Sequence, residues 1–317
     1  MQAWLFTGAH EPLRLIERDI PVPGPGEVLI EVGGSGLCHS DVGRMDGTLT
    51  PYMPKPPPIV LGHEIAGTVL ATGPHTDRFV TGDRVVASGT QVYCPGRDAD
   101  GGYATHCLLP AHCLLPLPDT VSFVQGAAAT DAGQTSYHAL MTAGGMQTGQ
   151  RVGIVGLGGL GMTGARIAAV HGAQVFAAEP RREAWDSARA SGVEKVVASA
   201  DELAAFAPEL IVDFAGFGET TAGAIRAIAA GGIVVLVGLG CDEAKLPSMA
   251  LIGKSVTLRG SAGGTPSDTA AVLDLMAEGK LEIEASAIGF DEIPAGLERL
   301  ARGKVVGRLV AKPARRR

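Results

Sequence analysis

Two short clusters carry groups able to do chemistry: Cys38-His39-Ser40-Asp41 and Gly62-His63-Glu64. Sulfur and imidazole are the donors that zinc selects, because it is a borderline-soft ion. Far downstream, Val152-Gly153-Ile154-Val155 runs straight into Gly156-Leu157-Gly158-Gly159-Leu160-Gly161. A glycine-rich turn between a strand and a helix is what a pyrophosphate needs, since backbone N–H groups can then approach it. A Lewis acid beside a bound nicotinamide is the equipment for moving hydride to or from a carbonyl carbon. Taken singly these signals are weak. A lone Cys is most often a small buried hydrophobe, a His beside a Glu is most often a surface or core pair, and glycine triplets arise by chance in a chain with 45 Gly.

The elements that must position these groups fall into two textures. Over residues 1–124 short apolar runs, such as Val28-Leu29-Ile30-Glu31-Val32 and Arg84-Val85-Val86-Ala87, alternate with Gly- and Pro-containing turns, which predicts a β-rich domain. Residues 125–141 are Ala-rich and helical in pattern. Strand and helix patterns then alternate, with strands expected at 151–155, 174–178, 210–214, 232–237 and 255–259 and helices at 161–171 and 182–191. That alternation indicates a doubly wound parallel sheet over 125–286. The last stretch, 287–317, with a helix near 293–301 and a strand at 308–311, is assigned to the first domain, which is therefore discontinuous.

The glycine fingerprint stands in the right context: a β-branched strand precedes it, a helix follows, and the next strand ends in Glu179. Gly156, Gly158 and Gly161 are the expected phosphate-turn residues, and Glu179 can take the ribose hydroxyls. Glu179 favours NAD, because a carboxylate repels the extra phosphate of NADP. Arg181 and Arg182 follow at once and make NADP the alternative. A P-loop is ruled out, because Ser248 stands where the first Gly before Gly253-Lys254-Ser255 would be needed.

The net charge of -7 argues against a nucleic-acid partner. The short basic end, Lys312 to Arg317, reads as a solvated terminus. Five cysteines without a framework spacing read as reduced thiols. No signal peptide and no membrane-length apolar run are visible in the sequence, so a cytoplasmic protein that avoids membranes is expected.

Together the clusters resemble the zinc-containing medium-chain alcohol dehydrogenases. The resemblance runs through Gly62-His63-Glu64-Ile65-Ala66-Gly67, Gly82-Asp83-Arg84-Val85, Gly101-Gly102-Tyr103-Ala104, Asp131-Ala132-Gly133-Gln134-Thr135, the glycine fingerprint and Gly307-Arg308. It implies an α/β protein: a GroES-like catalytic domain joined to a Rossmann domain, with the active site in the cleft between them. It implies that Cys38 and His63 are catalytic zinc ligands and that Asp41 orients the ligand histidine. Glu64 matches a carboxylate near the zinc, and Ser40 the hydroxyl that accepts the substrate alcohol's proton. Thr135 and Leu160 fall where side chains line the nicotinamide, and His39 and Arg308 where the pyrophosphate is contacted. The substrate is then a small alcohol or carbonyl compound, and a homodimer or homotetramer is expected.

Two departures stand out. The family's third ligand is usually Cys, and here Asp131 stands in its place; an acidic ligand is known in the polyol branch. The plain alternative for Asp131 is a carboxylate at a helix N-terminus, capping 132–140. Secondly, many members hold a structural zinc with four cysteines between Gly82-Asp83 and the Gly-Gly-Tyr motif, where this chain has Cys94 alone, so one catalytic zinc is expected. The relay histidine beyond the hydroxyl is replaced near Gly43. Two rivals stay open: a zinc-free reductase of an activated C=C or C=N bond, and a nucleotide-binding protein without catalysis. Substrate identity is not legible, because the expected pocket walls are loops at 48–58, 91–100 and 263–267.

Overall fold

A computed structural model describes residues 1–90 and 92–313; the arginines of the basic end, and one residue of the 91–100 loop, lie outside the described residues. The chain forms two compact units, Met1–Asp131 with Thr265–Arg317, and Ala132–Gly264.

The first unit is built on an irregular, largely antiparallel sheet. Its central strand, Glu27–Leu37, pairs with Glu64–Thr72 on one side and with Arg308–Lys312 and His106–Pro110 on the other. The pairing of Arg308–Lys312 with Glu27–Leu37 makes this unit discontinuous in sequence. Alternation along these strands sends Val28, Ile30, Val32, Ile65, Val69 and Val85 into a shared aliphatic core. Each such side chain contributes roughly 1.5–3 kcal/mol on full burial. A second core gathers Phe6, Leu37, Ile59, Leu61, Tyr103, Ile293 and Leu297. Tyr103 is its largest fully buried side chain.

The second unit carries six parallel strands in the order Val193–Val197, Gln174–Ala178, Arg151–Val155, Leu210–Asp213, Ile233–Leu236, Thr257–Gly260. The order reverses beside Arg151–Val155, which is the place where a doubly wound sheet opens a crevice for a dinucleotide. Five of these strands match the sequence pattern to within two residues. The edge strand Val193–Val197 escaped it, because Glu194 and Lys195 are exposed and break the apolar run.

Residues 125–131 and 265–286 cluster with the first unit, whereas the sequence pattern began the second domain at 125 and ended it at 286. Paired bonds explain the attachment. Gln125 donates to the Ile283 carbonyl at 2.8 Å and accepts from its N–H at 2.9 Å. Ser88 and Thr269 share a buried hydroxyl contact at 3.0 Å.

Candidate metal centre and nucleotide turn

Strand register brings the candidate metal ligands to one end of the first unit's sheet. The strand Glu27–Leu37 ends at Cys38, Glu64 sits opposite Gly36, and Leu309 opposite Leu37, so Arg308 lies at the same level. Gly36 makes room for the acid: a Cβ there would come within 2.0 Å of Glu64 Oε2. Asp131 arrives from a helical run. Phe123–Ala128 is α-helical, Ala129–Gly133 is a π turn, and Gln134–Tyr137 is α-helical again. Asp131 is thus interior to a continuous helical segment, and the N-capping alternative falls. Single π turns inside helices are frequent at functional sites, because they redirect one side chain.

Cys38, His63, Glu64 and Asp131 each offer a donor atom, and these atoms all lie within 4.8 Å of one another; it is the one such group among the described residues. Cys38 Sγ is 3.3 Å from Asp131 Oδ2. The Arg308 guanidinium, with 3% of its side chain exposed, pairs with Glu64 Oε1 at 2.5 Å and with Asp131 Oδ2. Behind His63, the fully buried Asp41 faces His63 Nδ1 at 3.5 Å and accepts from the Tyr103 hydroxyl at 2.8 Å and from Arg44 at 2.7 Å.

Electrostatics separate the carboxylates. Burial drives Glu64 well above the ordinary carboxylate range, against Arg308 and with help from Asp131. Burial also pushes Asp131 up, but Arg308 and His63 outweigh it and hold Asp131 below its ordinary value. Asp41 is held far lower: burial is overcome by His63, Arg44 and the Tyr103 bond. His63 shows the converse, raised well above its ordinary value by Asp41 despite burial.

These residues fit a zinc ion. The donor set joins thiolate, imidazole and carboxylate, which zinc accepts together. Glu64 Oε2 is buried without a hydrogen-bond partner, a costly state that a cation nearby relieves. Cys38, His63 and Asp131 would hold the ion, with Glu64 close to it.

Ser40 follows Cys38 on the short helix His39–Met45, half-buried, while His39 is exposed. At Gly43 a side chain would meet the Leu49 side chain at 2.9 Å, so a residue there would require Leu49 to shift. Arg308, matched by resemblance to a pyrophosphate contact, has its guanidinium on Glu64 and Asp131. Arg44 and Tyr103 escaped the sequence reading as members of this site. Their signals were the three-residue spacing from Asp41 on one helix and the Gly-Gly-Tyr motif.

In the second unit, Gly156 adopts φ +83°, and a Cβ on Gly161 would lie 1.8 Å from the Gly156 carbonyl oxygen. Both glycines are demanded by the turn itself. Gly158 is different: a Cβ there meets nothing within 4 Å, so packing does not require glycine, whereas a ligand approaching the backbone does. The helix Gly159–Val170 starts at this point and aims its N-terminus at the turn. Leu160 lies in its first turn, and its carbonyl accepts from Ser136 at 2.8 Å; Thr135 beside it is buried. Glu179 follows the strand Gln174–Ala178 and accepts from the Leu157 N–H at 2.8 Å. Arg181 grips the same carboxylate through Nε and Nη2, at 2.9 and 3.1 Å. Burial would raise Glu179, but the Arg181 bonds hold it below its ordinary value. The turn fits a dinucleotide.

Residues 24–119 match the alcohol dehydrogenase GroES-like domain, and residues 159–278 match the zinc-binding dehydrogenase family. An alcohol dehydrogenase of Geobacillus stearothermophilus is 30% identical over 98% of this chain and 99% of its own. The chain belongs to the zinc-containing medium-chain alcohol dehydrogenases. Solved members of this fold agree. An alcohol dehydrogenase from Aeropyrum pernix superposes with a TM-score of 0.91 at 27% identity, covering 99% of this chain and 100% of that one. Acetophenone reductase from Geotrichum candidum, solved in complex with NAD, gives 0.88 at 29% identity, covering 98% and 96%. The GroES-like and Rossmann architecture expected of a medium-chain dehydrogenase is the one seen here.

Proposed function

We propose that this medium-chain dehydrogenase uses one zinc ion, held by Cys38, His63 and Asp131, and NAD to interconvert a small alcohol and its aldehyde or ketone. Family membership makes the chain a zinc-dependent oxidoreductase with a nicotinamide cofactor. The observation that carries the finer assignment is the group of four donors within 4.8 Å, with one Glu64 oxygen buried and unpartnered.

When bound, zinc supplies a Lewis acid for the substrate oxygen, and the nicotinamide supplies the hydride acceptor or donor. The chain's own residues do the rest. Ser40 takes the substrate hydroxyl's proton, standing two residues beyond Cys38 on the helix His39–Met45. Asp41 orients His63, with Nδ1 facing the carboxylate, so Nε2 is the nitrogen left for the metal. Thr135 and Leu160 line the nicotinamide, His39 serves the pyrophosphate, joined by Arg308 once Glu64 and Asp131 yield it, and the Gly156, Gly158 and Gly161 turn takes the phosphates. Glu179 binds the ribose diol once Arg181 yields it.

NADP is the second reading, favoured by one observation: Arg181 already neutralises the carboxylate that would repel a 2′-phosphate. A cytoplasmic setting suits the five free thiols. Among the described residues no helix is long and apolar enough to cross a membrane. Pairing of two copies along Thr257–Gly260 is supported by that strand's place at the sheet edge. Met249 and Ile252, nearby in sequence, expose large apolar side chains.

The test is elemental analysis of unchelated protein together with an alcohol and ketone screen using both cofactors. A zinc ratio near one per chain and turnover that chelators abolish are expected. A ratio near zero with undiminished turnover refutes the metal assignment, and a ratio near two refutes the single site.

A further inference from the structure

The helix His39–Met45 carries a buried cation with no place in the roles above. Arg44 lies three residues beyond Asp41, with 9% of its side chain exposed. A buried guanidinium is costly unless an anion compensates it. Asp41 does so, accepting from Arg44 Nη1 at 2.7 Å on Oδ1. That same oxygen faces His63, whose Nδ1 stands 3.5 Å off and makes no well-formed hydrogen bond. The other carboxylate oxygen is taken by the Tyr103 hydroxyl at 2.8 Å. Arg44 and His63 therefore share one oxygen, and Arg44 has the shorter contact.

The consequence follows from what a carboxylate behind a ligand histidine does. Hydrogen-bonded to the imidazole, it raises ligand basicity and tightens the metal. Shared with a buried arginine, it does this less well. Charge balance points the same way. Arg44 adds a second buried guanidinium to the one that Arg308 places beside Glu64 and Asp131. Without Arg44 the site would lose one positive charge, and would draw a dication more strongly.

We propose that Arg44 is a positioning residue that draws Asp41 away from His63, so that the metal is held less tightly than the ligands alone would allow. The proposal rests on the zinc assignment above. Its benefit is chemical: a less electron-rich imidazole leaves a stronger Lewis acid.

The test compares zinc affinity of the full-length protein, by competition with a chromophoric chelator, in wild type and in Arg44→Met, Arg44→Gln and Arg44→Lys. The neutral variants should bind zinc at least about tenfold more tightly, within the 10–100-fold range of outer-shell changes. The glutamine variant covers the case in which methionine prevents folding. Lysine keeps the charge and should stay near wild type, a rescue that a merely space-filling role would not produce. Unchanged or weaker affinity in the neutral variants overturns the proposal, as does a lysine variant that follows them. Wild type that binds no zinc refutes the underlying site instead.

Discussion

Replacing Asp131 with asparagine separates its two possible roles, metal ligand and counter-ion of Arg308. The fold pays little for the change. Arg308 keeps Glu64 at 2.5 Å, so it is not left unpaired, and asparagine still offers an oxygen. The guanidinium keeps its charge, so its bond to an amide oxygen stays charge-assisted, and the loss is at most about 1.5 kcal/mol, the spread of such bonds between roughly 1.5 and 3 kcal/mol. Leaving the guanidinium wholly unpaired would cost about 3–5 kcal/mol. The metal loses more. Asparagine removes an anionic donor that lies with Cys38, His63 and Glu64 inside a 4.8 Å group. Outer-shell changes already cost about 10–100-fold in affinity, so a ligand change should exceed that. Two assays read the two effects: urea unfolding of the metal-free proteins and chelator competition for zinc. The expected result is a small stability loss, a large affinity loss and a matching fall in turnover. Asp131→Cys should keep zinc, since a thiolate restores an anionic donor. An asparagine variant with wild-type zinc affinity and undiminished turnover would end the ligand assignment.

Glu179→Ala should shift the cofactor preference from NAD towards NADP by at least about tenfold, the worth of a charge-assisted contact of roughly 1.5–3 kcal/mol; a wild type that already prefers NADP makes Arg181 and Arg182 the readers. The same residue predicts a pH dependence. Because Arg181 holds the folded carboxyl below its ordinary value of 4.5, its contribution is present above the unfolded pKa and fades as pH falls through the lower folded one. The stability gap between wild type and Glu179→Gln, followed by urea unfolding, should be flat from pH 7 to about 5 and shrink below; a gap that widens on acidification is inconsistent with this. Light scattering at micromolar concentration should give a dimer or tetramer, and a monomer alone would reject pairing along Thr257–Gly260.

Much of this was legible in the sequence for a simple physical reason. Buried parallel strands such as Arg151–Val155 and Gln174–Ala178 are nearly continuous apolar runs, and the glycines of the phosphate turn announce their own geometry. The edge strand Val193–Val197 was not legible, since solvent lets it carry charge. Cys38, His63 and Glu64 stood out because strand ends place short motifs together. Arg44 did not, because nothing local distinguishes a buried arginine from a solvated one; its burial comes from Asp41 and the packing around the helix. The attachment of residues 265–286 depends on Gln125 bonding to Ile283, a pairing across 158 positions that no window of sequence contains.

The π turn Ala129–Gly133 makes the direction of Asp131 a matter of chain length. A regular helix turns about 100° per residue, and a π turn absorbs one surplus residue within the helical run. Point substitutions in the turn therefore leave the carboxylate aimed where it is. Loss of one codon at Ala129 or Thr130 would let the segment relax to an ordinary helix and swing Asp131 by about 100° away from Cys38 and Arg308. Drift in this segment is thus graded for substitutions and all-or-none for deletions.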